Sequence, residues 1–125
     1  MFTVKTYLDK SEIHGFGVFA SEFIRRGSLI WELSDLDILI SEDRYKRLSN
    51  VSKSYIDNFA YKQRVVRVLC SDNAKYVNHS EIPNMEAGVA LTDINIGDEI
   101  TENYYLFDDL ADDKLLNHPN TNERV

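Results

Sequence analysis

With 125 residues, 43% of them hydrophobic, the chain has enough material for one packed core and is too apolar for global disorder. Fourteen Lys and Arg against 21 Asp and Glu give a net charge of −7, which argues against direct nucleic-acid binding, since phosphate recognition needs a basic footprint. A single cysteine, Cys70, excludes an internal disulfide and a cysteine-rich zinc centre.

The apolar runs are only a few residues long, too short to cross a bilayer. The segment Met1-Phe2-Thr3-Val4-Lys5-Thr6-Tyr7 lacks the charged-then-apolar layout of a secretory signal. The expectation is a cytoplasmic protein, or a nuclear one if the source is a eukaryote or one of its viruses. The acidic balance suits a basic protein or peptide partner, and it serves equally well simply to keep the chain soluble.

In chain order, short β-type runs dominate: Val18-Phe19-Ala20, Leu29-Ile30-Trp31, Ile38-Leu39-Ile40, Val65 to Leu69 and Val89-Ala90-Leu91, each bounded by turn or polar residues. Arg26-Gly27-Ser28 and Asn95-Ile96-Gly97-Asp98 read as turns in which glycine takes positive φ. A first helix is expected from a Ser41 cap, with Glu42 and Asp43 in its opening turn and Tyr45, Leu48, Tyr55 and Ile56 on its buried side. A second is expected from about Phe107 to Leu116, with Phe107, Leu110, Ala111, Lys114 and Leu115 on one face and Asn117 and Pro119 ending it. Residues 1–117 read as one domain and 118–125 as a frayed tail. This is a meander of short strands, and a dinucleotide site built on Gly15-Phe16-Gly17 would lack its βαβ frame. One internal echo is visible: Ile24 to Glu32 aligns with Ile94 to Glu102 at an offset of seventy, with Ile, Gly, Ile and Glu coinciding.

As bare chemistry, the polar stretch Tyr76-Val77-Asn78-His79-Ser80-Glu81-Ile82-Pro83-Asn84 is ambiguous. His79 has no companion at metal-ligand spacing, so no metal site is expected, and no Gly-x-Ser-x-Gly elbow accompanies it. Ser80 beside it points the other way in an extended chain. Alone, His79 reads as a hydrogen-bonded structural histidine. Tyrosines such as Tyr7 and Tyr45 can simply rim a small core.

Four blocks in order change that reading. Ser11 to Ala20 contains a Gly-x-Gly turn that runs into a strand. Ile24 to Glu32 follows it, then Asn78-His79-Ser80-Glu81-Ile82-Pro83-Asn84, then Gly97-Asp98-Glu99-Ile100-Thr101-Glu102-Asn103-Tyr104. Together they resemble the SET domain, the family that transfers methyl groups from S-adenosylmethionine to protein lysines. The resemblance implies a mainly β fold with short helices, of β-clip type, with several small sheets and a threaded C-terminal segment. It is closest to minimal single-domain members of bacterial or viral type, and a homodimer of this chain is one assembly to expect.

The same resemblance implies roles. His14, Gly15, Phe16 and Gly17 would line the methionine end of the cofactor, with the glycines leaving room for its approach. Asn78 would bind the amino or carboxylate end, His79 would meet the adenine edge through its backbone, and Asn84 would hold the crossing of the C-terminal segment. Tyr104 would sit where the methyl donor meets the lysine, with Tyr61 as the second channel tyrosine, Tyr55 as its alternative, and Tyr105 and Phe107 on the far wall. A lysine ammonium has no lone pair, and neutralising it at pH 7.4 costs roughly 4 kcal/mol, so desolvation in an aromatic channel and orientation by Tyr104 are the expected aids. Glu81 and Asn103 stand where the family often has cysteine and aspartate. No cysteine-rich closing segment is present, so the Phe107–Leu116 helix is expected to close the channel. A catalytically inactive SET-fold module that binds a peptide or partner is the alternative.

Overall fold

The computed structural model describes residues 1–117; the expected tail lies outside them. Strands β1 (Thr6–Lys10) and β2 (Phe16–Ala20) form an antiparallel pair, as do β7 (Met85–Glu86) and β8 (Val89–Ala90). Strand β9 (Glu99–Glu102) lies between β2, which it meets antiparallel, and β6 (Asn78–His79), which it meets parallel, giving the sheet order β1-β2-β9-β6. A second sheet runs β3-β5-β4, from β3 (Ile38–Ser41), β4 (Tyr61–Gln63) and β5 (Val66–Leu69). The result is a mainly β fold of several small sheets with short helices, as expected.

The echo between Ile24–Glu32 and Ile94–Glu102 has a structural cause: the two segments pair with each other about an approximate two-fold. Ile24 N donates to Ile94 O (2.9 Å) and Ile94 N returns the bond to Ile24 O (2.8 Å). Gly27 N reaches Ala90 O (2.8 Å) while Gly97 N reaches Ala20 O (2.9 Å), and Ala20 N to Asp98 O is matched by Ala90 N to Ser28 O, both 3.0 Å. Gly27 and Gly97 have φ of +86° and +90°, the positive values their turns were expected to need. The matched apolar residues Ile24/Ile94, Ile30/Ile100 and Ala20/Ala90 all lie in one buried cluster with Val18, Val77 and Met85. Burial of each isoleucine side chain contributes about 1.5–3 kcal/mol.

Three expectations need correction. Leu29-Ile30-Trp31 forms no strand, only isolated bridges of Leu29 to Val89 and Trp31 to Phe2. The first helix is two: α1 (Glu42–Arg47) ends at Leu48, and α2 (Asn50–Phe59) restarts with Ser49 Oγ accepting from Ser52 N. That second cap lets Ile56 and Ala60 pack with Ile40, against Tyr45 and Leu48. The C-terminal helix α3 spans Ala111–Asn117, preceded by a tight 3₁₀ turn at Tyr104–Leu106. Asp108 interrupts it, because its carboxylate accepts from Lys62 N (3.1 Å) and Leu110 N (3.0 Å) and so ties residues 107–110 to β4. The hairpin β7–β8 turns through Ala87 and Gly88, both at positive φ, and a Cβ on Gly88 would lie 2.1 Å from Trp31 O.

Asn84 fixes the loop between β6 and β7 across β9. Its Oδ1 accepts from Thr101 N (2.9 Å) and its Nδ2 donates to Glu99 O (2.8 Å), so one side chain occupies strand-pairing positions. Replacing Asn84 with Ala strands a backbone donor and an acceptor, and will lower unfolding free energy by about 2–3 kcal/mol. The midpoint of urea unfolding measures it.

Candidate functional site

A cleft of 1360 Å³ runs from the loop before β2, past β6 and the end of β9, to the first turns after β9 and to α3. It is lined by His14, Gly15, Phe16, Asn78, His79, Tyr61, Tyr104, Tyr105 and Phe107, which brings most of the expected residues to one place. Gly17 and Tyr55 do not line it. Tyr55 is 42% exposed and packs on Phe59 with ring centroids 4.8 Å apart.

The glycine loop is built around a carboxylate. Ser11 Oγ donates to Glu99 at 2.8 and 2.9 Å, and Asn78 Nδ2 lies 3.0 Å from Glu99 Oε2, 2.9 Å from His14 O and 3.0 Å from Phe16 O. Asn78, 6% exposed, therefore joins β6, β9 and the loop in one knot. The two glycines serve different ends. Gly15 takes φ +48°, and a Cβ there would meet nothing within 4 Å. A Cβ on Gly17 would lie 2.3 Å from Glu99 Oε2, so that glycine is required by the carboxylate beneath it. The open space at Gly15 is what a bound molecule's close approach to backbone needs.

At the other end, β9 gives way to the Tyr104 turn, where Asn103 Oδ1 accepts from Tyr105 N (3.1 Å). His79 Nδ1 accepts from Tyr104 N (3.1 Å), which leaves the imidazole proton on Nε2. Burial holds the His79 pKa below its ordinary value, against a smaller opposing pull from Glu81, so the ring is neutral. Tyr104 donates its hydroxyl to Val77 O at 2.5 Å. Its ring stands 5.3 Å from His79 and 5.9 Å from Phe107, whose own ring is 5.3 Å from Tyr61. Burial raises the phenol pKa of both Tyr104 and Tyr61 well above normal, so neither is a base near neutrality. Lys114 Nζ closes the back wall, 2.5 Å from Asp108 Oδ2 and 5.9 Å from the Tyr104 ring centroid. Cys70 is buried just beyond β5, its thiol pushed up to about 12 chiefly by burial, as befits a small apolar residue.

Several lining residues escaped the sequence reading, Asn58, Lys75 and Asp108 among them, and the most consequential is Glu102. Glu102 lines the cleft, and burial pushes its carboxyl up to about 7. The signal was in the strand period: Glu102 shares a face with Ile100, which is fully buried, so an acid stands at an inward-facing position. Among the described residues no titratable cluster suits a metal ion.

Two outcomes follow. Gly17→Ala forces Glu99 off the loop and will destabilise by about 1–3 kcal/mol, read from chemical denaturation. Because the folded Glu102 pKa lies above its unfolded value near 4.5, its contribution to stability is intact below about pH 4.5 and is lost as pH rises through 7, at a cost of about 3 kcal/mol. Neutral His79 adds a separate slope, full stability above its ordinary pKa and loss as pH falls, which subtracts out between variants. Glu102→Gln will therefore stabilise the protein at pH 8.5 and leave it nearly unchanged at pH 4.5, measured as the difference in Tm.

The SET-domain family model matches residues 15–105. The human histone-lysine N-methyltransferase SETD1B is 29% identical over 111 residues, covering 76% of this chain and 6% of that protein. The chain thus spans a small fraction of that relative. Among solved structures, a putative histone methyltransferase of Plasmodium falciparum is similar with a TM-score of 0.60 and 24% identity, over 82% of this chain and 94% of that one. A ctPRC2 structure bound to S-adenosylmethionine is similar with a TM-score of 0.67 and 23% identity, over 91% of this chain and 17% of that one. At these identities the structural likeness is one of fold. The family match spans most of the chain and takes in the glycine loop, the Asn78–Asn84 block and the Tyr104 turn, so the chain belongs to the SET-domain family.

Proposed function

We propose that the protein transfers a methyl group from S-adenosylmethionine to the side-chain amine of a lysine in a basic protein. The observation that carries this reading is the continuity of one cleft from the open backbone at Gly15 to the aromatic end at Tyr104. The cleft is large enough for a nucleoside-sized ligand and an entering side chain together. The names of the relatives point the same way, one being a histone-lysine N-methyltransferase and one a complex that binds S-adenosylmethionine.

In this reading S-adenosylmethionine, when bound, supplies an electrophilic methyl group. His14, Gly15, Phe16, Asn78 and His79 hold it, with Gly17 acting through the Glu99 knot beneath the loop. Tyr61, Tyr104 and Phe107 surround the entering amine, strip water from it and so favour its neutral form. Tyr104 orients the amine, and its hydroxyl is held for that by Val77 O. Tyr105, about half exposed, forms the outer wall. The net charge of −7 favours approach of a basic substrate. We read residues 1–117 as one domain of the minimal type, with the Tyr104 segment passing beneath the loop that Asn84 anchors, and α3 closing the back of the channel.

Calorimetry will show S-adenosylmethionine binding to the wild type and a loss of about tenfold or more in Asn78→Ala, because the same change loosens the loop. No binding by the wild type would contradict the proposal. Tyr104→Phe will lower kcat by about 100-fold while cofactor Kd moves little, the pattern of a positioning group.

A further inference from the structure

Glu102 ends β9, two residues before Tyr104 and in register with His79 of β6. Its carboxylate makes no hydrogen bond and no ion pair among the described residues, yet it lines the cleft with Tyr61, Cys70, Tyr104 and Phe107. The neighbouring groups are committed elsewhere. Asp108 holds Lys62 N, Leu110 N and Lys114 Nζ, Glu99 holds Ser11 and Asn78, and His79 Nδ1 holds Tyr104 N. Tyr104 gives its hydroxyl to Val77 O. The negative charge of Glu102 is felt by Tyr61, Tyr104 and Cys70, each of which stays protonated near neutrality because burial raises its pKa. Among the described residues that line the aromatic end of the cleft, this leaves Glu102 as an inward-facing acid with no committed partner, whereas Glu81 is exposed beside Tyr105 at the outer wall.

We propose that the Glu102 carboxylate binds the cationic amine entering the cleft and takes one of its protons. An unpaired acid on an inward strand face is costly in a fold with no use for it, whereas a ligand ammonium supplies its missing partner. In the desolvated site the pair of neutral amine and carboxylic acid competes well with the ion pair, because separated charges are poorly solvated there. An acid that titrates near neutrality is suited to receive a proton and release it again each turnover.

An N–H bond of the ammonium breaks and an O–H bond forms on Glu102. The freed lone pair on nitrogen forms the new N–C bond to the methyl group as the methyl's bond to sulfur breaks, the electron pair staying on a neutral thioether sulfur. The product leaves as a methylated ammonium, and Glu102 returns its proton to water through the open mouth of the cleft. The lysine identity of the amine rests on the proposed function, whereas amine binding does not.

The test uses the whole chain and n-butylammonium chloride as probe, titrated calorimetrically at pH 6 and pH 8 into wild type and Glu102→Gln. The wild type will bind about tenfold more tightly at pH 8, where the carboxylate is ionised and the probe is still charged. Glu102→Gln will lose that dependence and bind about tenfold more weakly at pH 8. Unchanged S-adenosylmethionine affinity in Glu102→Gln, or an unchanged far-UV spectrum where no such affinity exists, serves as the control for folding. No binding of the probe by the wild type, or equal affinity and pH dependence in the two proteins, overturns the proposal. With poly-L-lysine as acceptor, the rise of wild-type kcat through about pH 7 will vanish in Glu102→Gln, and its persistence would overturn proton acceptance. Amine binding without methyl transfer would instead count against the enzyme reading and leave the Glu102 site standing.

Discussion

Two asparagines grip β9, and the cleft depends on that grip. Asn84 takes strand-pairing positions on Glu99 and Thr101, and Asn78 reaches the Glu99 side chain while it holds the carbonyls of the glycine loop. A strand of four residues has little cohesion of its own. Pinned on one edge by β2 and on the other by β6 and the two amides, it carries Glu102 and Tyr104 into the cleft at a defined height. The approximate two-fold of the 20–28 and 90–98 segments supplies the rigid floor under this arrangement.

The site separates two kinds of surface. One end is backbone-rich and open at Gly15, suited to a large polar ligand. The other is aromatic, with Tyr61, Tyr104 and Phe107 edge to face and every phenol kept neutral by burial. Orientation and desolvation are what such a surface offers an amine, and base chemistry is what the phenols cannot offer. Glu102, which opens into this end with no committed partner among the described residues, raises the cost of folding at alkaline pH, the expected mark of a group kept for chemistry at the expense of stability.

Much of this was legible in the residues. Four ordered blocks brought Gly15, Asn78, His79 and Tyr104 to one cleft, and the offset of seventy between Ile24 and Ile94 marked two segments of like turn chemistry, though not that they pair with each other. The Ser41 cap was readable because a serine followed by acids has a local meaning. Strands of two or three residues, such as β4, β6 and β7, are too short to show a period. The break at Leu48 and the delayed start of α3 depend on side chains of Ser49 and Asp108, the second of which reaches β4 across 46 positions. The reason for Gly17 is likewise tertiary, since Glu99 is far away in sequence. Glu102 was visible as an inward position but had no motif to mark it.

The most direct measurement of the central claim is mass spectrometry of a cell extract incubated with the protein and isotopically labelled S-adenosylmethionine. The proposed function predicts label on lysine side chains of basic proteins, absent when Tyr104→Phe replaces the wild type. Label that appears equally with both proteins, or no label from a wild type that binds the cofactor, would contradict it.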